Sequence, residues 1–287
     1  NCGVDSLHVV GDSIFDCSMV GTAQTMQIRL TDKSGNDTIK SITINVIDNA
    51  SPDSLGVRDF DLYLDASGAA TLYADSVVLF TNDNCSVKDT TLSQTSFDCS
   101  HIGTNTVTVE ITDPSNNSTQ KTIEITVHDT LAPNNIVVQD ITRYLDTNGA
   151  DTISVFDVYV SGDDNCGINA VDISDSTFDC SQVDTFDLVV SVKDASGNVT
   201  LDTAKIIVLD TFRPNFTLAA SYDLVIDNDG ADTLDAATFA SNLTDNCGVD
   251  SLHVVGDSIF DCSMIGTAQT MQIRLTDKNG NDTIKSI

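Results

Sequence analysis

Residues 186–209 read Phe186-Asp-Leu-Val-Val-Ser-Val-Lys-Asp-Ala-Ser-Gly-Asn-Val-Thr-Leu-Asp-Thr-Ala-Lys-Ile-Ile-Val-Leu209. Two runs rich in β-branched residues flank Asp194-Ala-Ser-Gly-Asn198, a cluster of turn formers. The pattern predicts an antiparallel hairpin, Phe186–Lys193 with Val199–Leu209. The strand matching the second arm one repeat earlier alternates more cleanly. Ile123, Ile125 and Val127 face one way, and Thr122, Glu124, Thr126 and His128 the other, as the period of a half-buried strand requires.

Working upstream, Ile168–Ser174 is a predicted strand leading into Phe178-Asp-Cys180. Ile136-Val-Val, Ile141–Leu145 and Ala150–Val155 are also strand-like. Asp146-Thr-Asn-Gly149 is a turn, and Phe156–Asn165 a loop with room for a helical turn. About seven short strands in roughly 80 residues fit an immunoglobulin-like β-sandwich. With no Trp in the chain the Cys–Trp–Cys pattern is missing, so an antibody-type domain is excluded.

The same stretch recurs. Asp48-Asn-Ala-Ser-Pro52, Asp129-Thr-Leu-Ala-Pro133 and Asp210-Thr-Phe-Arg-Pro214 place their prolines 81 residues apart both times. A Cys preceded by Asn falls at Cys2, Cys85, Cys166 and Cys247, and a Cys preceded by Phe-Asp at Cys17, Cys99, Cys180 and Cys262. A longer period overlies this one: residues 1–42 recur as 246–287 with two changes, Val20 to Ile265 and Ser34 to Asn279. The expected organisation is the C-terminal part of a repeat at 1–50, whole repeats at 51–131 and 132–212, and a repeat at 213–287 cut before its last strand ends. The parent protein is expected to be longer. The fold class is all-β: tandem immunoglobulin-like sandwiches of about 81 residues in an extended rod, because each short linker ends in Pro.

Composition narrows the function. The net charge is −30, which disfavours nucleic acid and anionic membrane as partners. No apolar run is long enough to span a bilayer, so direct membrane insertion is not expected. Of 43 acidic residues only Glu110 and Glu124 are Glu; Asp favours turns and caps and ligates hard cations. His8, His101, His128 and His253 form no recurring arrangement with a nucleophile and an acid, so the chain does not read as an enzyme.

The ordered set Asp164-Asn-Cys166, Phe178-Asp-Cys180-Ser181, Asp194-Ala-Ser-Gly-Asn198 and Asp210–Pro214 resembles the hyalin-repeat-like modules of giant surface adhesins of Bacteroidota, including their gliding adhesins. The repeat that begins at Pro52 departs from it, with Asp113-Pro-Ser-Asn-Asn117 placing Asn116 where Gly is usual; Asn tolerates the left-handed conformation. The resemblance implies export to the cell surface and adhesion or gliding. The expected function is a structural stalk repeat of a long secreted adhesin or filament, anchored at the outer membrane or secreted. Contacts with extracellular surfaces or glycans would fall to other parts of the parent, and neighbouring repeats would be the immediate partners. The alternative is a carbohydrate- or ligand-binding module, which should carry exposed loop aromatics that its neighbours lack. Phe80, Tyr159 and Phe239 precede the Asp-Asn-Cys motif at similar distances and read as shared core, which favours the stalk.

Three kinds of site follow. The cysteines read as disulfides within repeats, Cys2–Cys17, Cys85–Cys99, Cys166–Cys180 and Cys247–Cys262, ahead of reduced core thiols or a metal site. Asp65-Ala-Ser-Gly68, Asp146-Thr-Asn-Gly149 and Asp227-Asn-Asp-Gly230 resemble the start of a calcium loop, but a hairpin turn is the favoured reading. Sandwich topology instead gathers linker, BC-loop and FG-loop carboxylates at one pole. The candidate metal ligands are Asp48, Asp83 and Asp113; Asp129, Asp163, Asp164 and Asp194; and Asp210, Asp245 and Asp277, with structural calcium as the cofactor. Last, Asp-Ser/Thr followed by Ala, Leu, Val, Ile, Met or Thr occurs 14 times, where composition alone gives roughly four. It resembles the O-glycosylation sequon of Bacteroidota, with candidates Ser13, Thr38, Ser76, Thr152, Ser258 and Thr283; the other reading is a strand start after a turn.

Overall fold

The computed structural model describes residues 3–226 and 228–287. Cys2 and Asp227, both named above, lie outside the described residues. The chain divides into two compact units, Asn1–Leu131 and Ala132–Ile287.

In the second unit Thr185–Asp194 and Val199–Leu209 form the expected hairpin, in register from Thr185↔Ile207 to Lys193↔Val199. They are the centre of a four-stranded sheet. Ile168–Ile173 lies antiparallel on one side, and Ile141–Tyr144 parallel on the other. The second layer consists of two short antiparallel pairs, Asn134–Val138 with Tyr159–Asp163 and Ala150–Thr152 with Thr177–Asp179. Alternate residues of the hairpin face this layer: Leu188, Val190 and Val192 on one strand, Ala204, Ile206 and Val208 on the other. They pack with Leu145, Val158 and Phe178, closing an all-β sandwich. The following repeat pairs Asn215–Leu218 with Ala240–Thr244, and Ala231–Thr233 with Ile259–Asp261. Its main sheet holds Val249–Val255, Gln272–Asp277 and Asp282–Ser286.

The first unit holds the same design. Gly103–Thr112 and Ser118–His128 pair from Gly103↔Val127 to Thr112↔Ser118, with Phe60–Tyr63 and Asp89–Leu92 outside them. Ile123, Ile125 and Val127 are buried, and so are Val107, Val109 and Ile111 on the paired strand, as their alternation requires. Ahead of this sandwich stands a three-stranded sheet of Val4–Val10, Ala23–Asp32 and Asp37–Asn45.

The hairpin turn explains a recurrent Asp and Asn. Asp194 accepts hydrogen bonds from the Asn198 amide N–H at 2.8 Å and from its Nδ2 at 2.7 Å, while Gly197 takes a φ of 95°. In the first unit Asn116 takes the left-handed place with a φ of 68°, as its position in Asp113–Asn117 predicts.

Three readings need correction. Asp65–Gly68 and Asp146–Gly149 are not hairpin turns. The strand before each turn pairs within the large sheet and the strand after it joins the opposite layer, so the turn is a corner between sheets. Residues 156–165 are not mainly loop, because a 3-10 turn at Val155–Asp157 leads directly into the strand Tyr159–Asp163. Phe80 is not core. The core position before the Asp-Asn-Cys motif is filled by Val77, Val158 and Phe239, while Phe80 is 60% exposed and lies across the face of Gly56.

Candidate metal centre

The cysteines show where one repeat meets the next. Cys17 is bonded to Cys85 and Cys180 to Cys247, with Cα atoms 5.2 and 5.3 Å apart. The second cysteine of one repeat therefore joins the first cysteine of the following one. This overturns the pairs Cys2–Cys17, Cys85–Cys99, Cys166–Cys180 and Cys247–Cys262, since each needs a sulfur that is already bonded elsewhere. Cys99 and Cys166 are disulfide-bonded as well, and Cys262 is a free, exposed thiol. The reason is strand length. Between Cys166 and Cys180 the chain runs the strand Ile168–Ile173 from one end of the sandwich toward the other. Six residues advance roughly 20 Å, whereas a disulfide needs Cα atoms within about 7 Å.

On one side of each bond, Cys17 and Cys180 sit on short capped turns. Asp16 and Asp179 accept from the amides of Ser18 and Ser181 and thereby cap the 3-10 turns Cys17–Met19 and Cys180–Gln182. Those hydrogen bonds, the serine hydroxyl first, hold the two carboxyls below the usual range. At the seam of the second unit a glycine makes room. A β-carbon on Gly149 would lie 2.5 Å from Cys180 Sγ and 2.8 Å from the Asn246 carbonyl oxygen. Across that gap Asn246 Nδ2 donates to the Asp146 carbonyl at 3.0 Å.

Beside each disulfide stands a trio of carboxylates. Oxygens of Asp48, Asp83 and Asp113 lie within 4.8 Å of one another, as do those of Asp210, Asp245 and Asp277. The linker, the Asp-Asn-Cys loop and the hairpin turn supply one residue each. Asp113 is 0% exposed, Asp277 2% and Asp210 7%. Among the described residues no Lys or Arg pairs with any of the six. Some of their oxygens are held by amides. Asp48 Oδ1 accepts from Asn84 Nδ2, Asp245 Oδ2 from the Cys247 and Gly248 amides, and Asp277 from Asn281. Others are buried with no hydrogen-bond partner: Asp48 Oδ2, Asp83 Oδ1 and Asp245 Oδ1. Burial pushes the Asp245 carboxyl up, and Asp277 and Asp210 push the same way against the two amides.

A buried, unpaired carboxylate oxygen beside two others is costly unless a cation joins it. The donors are all oxygen, which suits a hard divalent ion. In the middle repeat Asp164 and Asp194 likewise lie together, and Asp164 Oδ2 is buried and unpartnered. Asp129 closes the first unit and accepts from the Leu131 amide. Asp163 does not join a trio; it is exposed and accepts from Asn135 Nδ2 at 3.1 Å. The calcium-loop reading of Asp65 and Asp146 is weakened, since each carboxylate is occupied by its own turn.

The asparagines were overlooked by the sequence reading. Asn117 Nδ2 bridges the Asp48 carbonyl and Asp113, and Asn281 Nδ2 bridges the Asp210 carbonyl and Asp277, so each ties linker to hairpin. Their signal was visible as the Asn four residues after the hairpin Asp in every repeat. Asn246 adds a buried Oδ1 without a partner.

The remaining candidates are scattered. Ser13, Thr38 and Thr152 are exposed, while Ser76, Ser258 and Thr283 are half-buried. His101 Nδ1 meets Asp98 at 2.8 Å and Ser100 Oγ at 3.3 Å. Both contacts fall on the same ring nitrogen, which is the geometry of a turn cap.

No protein-family profile and no curated protein matches the chain. Among solved structures it is similar to extracellular cadherin domains 1–4 of protocadherin gamma B7, at 16% identity and TM-score 0.31, covering 99% of this chain and 90% of that one. The human desmocollin-1 ectodomain gives 9% and 0.24 over 92% of this chain and 64% of that one. An endo-fucoidan hydrolase of glycoside hydrolase family 107 gives 14% and 0.20 over 73% and 39%. Overlap with TM-scores this low assigns neither a family nor a ligand.

Proposed function

We propose that this chain is a stretch of the stalk of a long secreted cell-surface adhesin or filament, with calcium held at the repeat seams. One observation carries the reading. At both seams within the units, a disulfide between successive repeats stands beside three converging carboxylates with buried, unpartnered oxygens. A covalent staple and an ionic clamp at the same seam are what a tension-bearing tandem array needs. Neither would help a domain that works alone. Disulfides of this kind persist in oxidising compartments, which supports an extracellular location. Among the described residues no helix is long and apolar enough to cross a membrane. Asp48, Asp83, Asp113, Asp210, Asp245 and Asp277 would hold the ion. Glycans on Ser13, Thr38 and Thr152 would shield the stalk from proteases. Surface attachment, gliding included, is the work of the whole parent protein, and catalysis is no part of it. Immunogold labelling of the intact host tests the reading. Label along extracellular filaments is the expected result, and label confined to the cell interior would overturn it.

A second reading is favoured by one feature of repeat 51–131. Tyr73, Leu79 and Phe80 are all well exposed there. An exposed aromatic ring such as that of Tyr73 or Phe80 can stack on a sugar ring. A glycan-array screen of the chain and its Phe80→Ala variant separates this reading from the stalk.

A further inference from the structure

The seams within the two units are built from matching parts, which makes a difference between them readable. In each, Oδ1 of the linker aspartate meets the same pair of donors. Asp48 Oδ1 accepts from the Ala50 amide at 3.1 Å and from Asn84 Nδ2 at 3.2 Å. Asp210 Oδ1 accepts from the Phe212 amide at 3.1 Å and from Asn246 Nδ2 at 3.2 Å. The linker carbonyls match as well, held by Asn117 Nδ2 at 3.2 Å and by Asn281 Nδ2 at 3.1 Å. The second carboxylate oxygen does not match. Asp48 Oδ2 is buried with no hydrogen-bond partner, whereas Asp210 Oδ2 accepts from Asn279 Nδ2 at 2.8 Å.

That donor comes from one position of the hairpin turn. The second residue after the hairpin Asp is Ser34, Ser115, Ser196 and Asn279 in the four turns, and Ser34 to Asn279 is one of the two changes between the duplicated segments. The backbone of the turn is indifferent to the exchange. Ser34 and Asn279 donate their amides to Asp32 and Asp277 at 2.8 and 2.9 Å, and Asn36 and Asn281 donate theirs at 2.9 and 2.8 Å. What changes is reach. An asparagine side chain is one bond longer than a serine and ends in an amide, and here it crosses to the linker.

We infer that this position grades the seams: the Asp48, Asp83 and Asp113 seam is a tight divalent-cation site, and Asn279 makes the Asp210, Asp245 and Asp277 seam a weaker one. This rests on the cation reading above and adds which seam fills first. A hard cation binds by collecting oxygens, and an oxygen already engaged by an N–H has less to give. At the first seam Asp48 Oδ2 and Asp83 Oδ1 are both buried and open. At the second Asp245 Oδ1 is open, but Asp210 Oδ2 is taken. To gain that oxygen the ion must displace an N–H that carries its own partial positive charge. A stalk with both kinds of seam holds one cation firmly and exchanges the other as the ambient concentration changes.

Calorimetric titration of the whole chain with calcium chloride, beside two exchange variants, tests this. Asn279→Ser and Ser115→Asn each install the residue that the other seam's turn already carries, so both suit the turn. Asn279→Ser should tighten the weaker binding component about ten-fold, the worth of one hydrogen bond to a charged group. Ser115→Asn should weaken the tighter component by a similar factor. Asp245→Asn added to each chain identifies the component that belongs to the second seam, and this should be the weaker one in the parent. Weaker binding in Asn279→Ser overturns the inference, because Asn279 then serves the ion through its amide oxygen. Unchanged affinities in both exchange variants overturn it too, while leaving the seams as cation sites. Heat absent from every chain overturns it together with the cation reading itself.

Discussion

Cys180 is bonded to Cys247, 67 residues further along the chain, while Asn246 Nδ2 reaches back to the Asp146 carbonyl of the preceding repeat. Two adjacent residues of one loop thus grip the end of the repeat before it. The same loop begins with Asp245, one member of a carboxylate trio. Covalent bond, hydrogen bond and candidate cation site share three consecutive residues, Asp245 to Cys247, so a disturbance of one is felt by the others.

Non-reducing peptide mapping should recover Cys17 linked to Cys85 and Cys180 linked to Cys247. Loss of one staple by paired Ser substitution of Cys180 and Cys247 should destabilise the second unit by about 4 kcal/mol, the chain-entropy value for a loop of this length. Recovery of Cys166–Cys180 or Cys247–Cys262 peptides would refute the seam.

Gly149→Ala should damage the seam more than its conformation alone explains. A left-handed alanine costs about 1–2 kcal/mol, and the added β-carbon also meets Cys180 Sγ and the Asn246 carbonyl. Gly256→Ala is the comparison, with φ 96° and nothing within 4 Å of the added carbon. Thermal melts of the two variants should differ, with Gly149→Ala lower; equal melting points would show that the close approach is absent in solution.

Calcium should raise the melting temperature and chelator lower it. At calcium roughly 100-fold above the dissociation constant the gain per site is about 2.7 kcal/mol. Asp245→Asn and Asp83→Asn should each weaken binding in a calorimetric titration, while Asp163→Asn should leave it unchanged. No heat of binding at millimolar calcium would mean that the buried oxygens are satisfied by water.

The turn carboxylates set an acid limb. Asp65, Asp98 and Asp179 are held below the usual carboxylate range, each first by the hydroxyl of a serine two residues on. A folded-state pKa below the unfolded one means that the unfolded chain binds protons first. Stability is therefore complete above the ordinary Asp value and falls as pH drops from about 4 toward 2. Asp98→Asn with Asp179→Asn should flatten that decline in melts followed against pH. The groups are exposed, so the change is small.

Peptides spanning this chain, released from protein of the native host, should include species heavier than their bare sequence masses. Glycopeptides should centre on the exposed Ser13, Thr38 and Thr152 before the half-buried Ser76, Ser258 and Thr283. Bare masses for every one of these peptides would remove glycosylation from the account.

What the linear sequence determined was periodic. Alternation at Ile123–Val127 and along 186–209 dictated strands, because side chains of an extended backbone point to opposite faces and only one face can be buried. Asp113–Asn117 and Asp194–Asn198 dictated turns through short-range hydrogen bonds within five residues. Even the carboxylate trios were legible, since immunoglobulin-like topology brings linker, loop and hairpin to one pole. What only the tertiary structure decided was which ends meet. Cys166 and Cys180 are close in sequence, yet a full strand lies between them, so nearness along the chain meant distance in space. Cys180 and Cys247 are far apart in sequence but lie on facing ends of successive sandwiches. The exposure of Phe80 and the separation of Asp163 from Asp164 were decided the same way. Neighbouring residues of a strand face opposite directions, and where each face looks depends on what the rest of the chain places beside it.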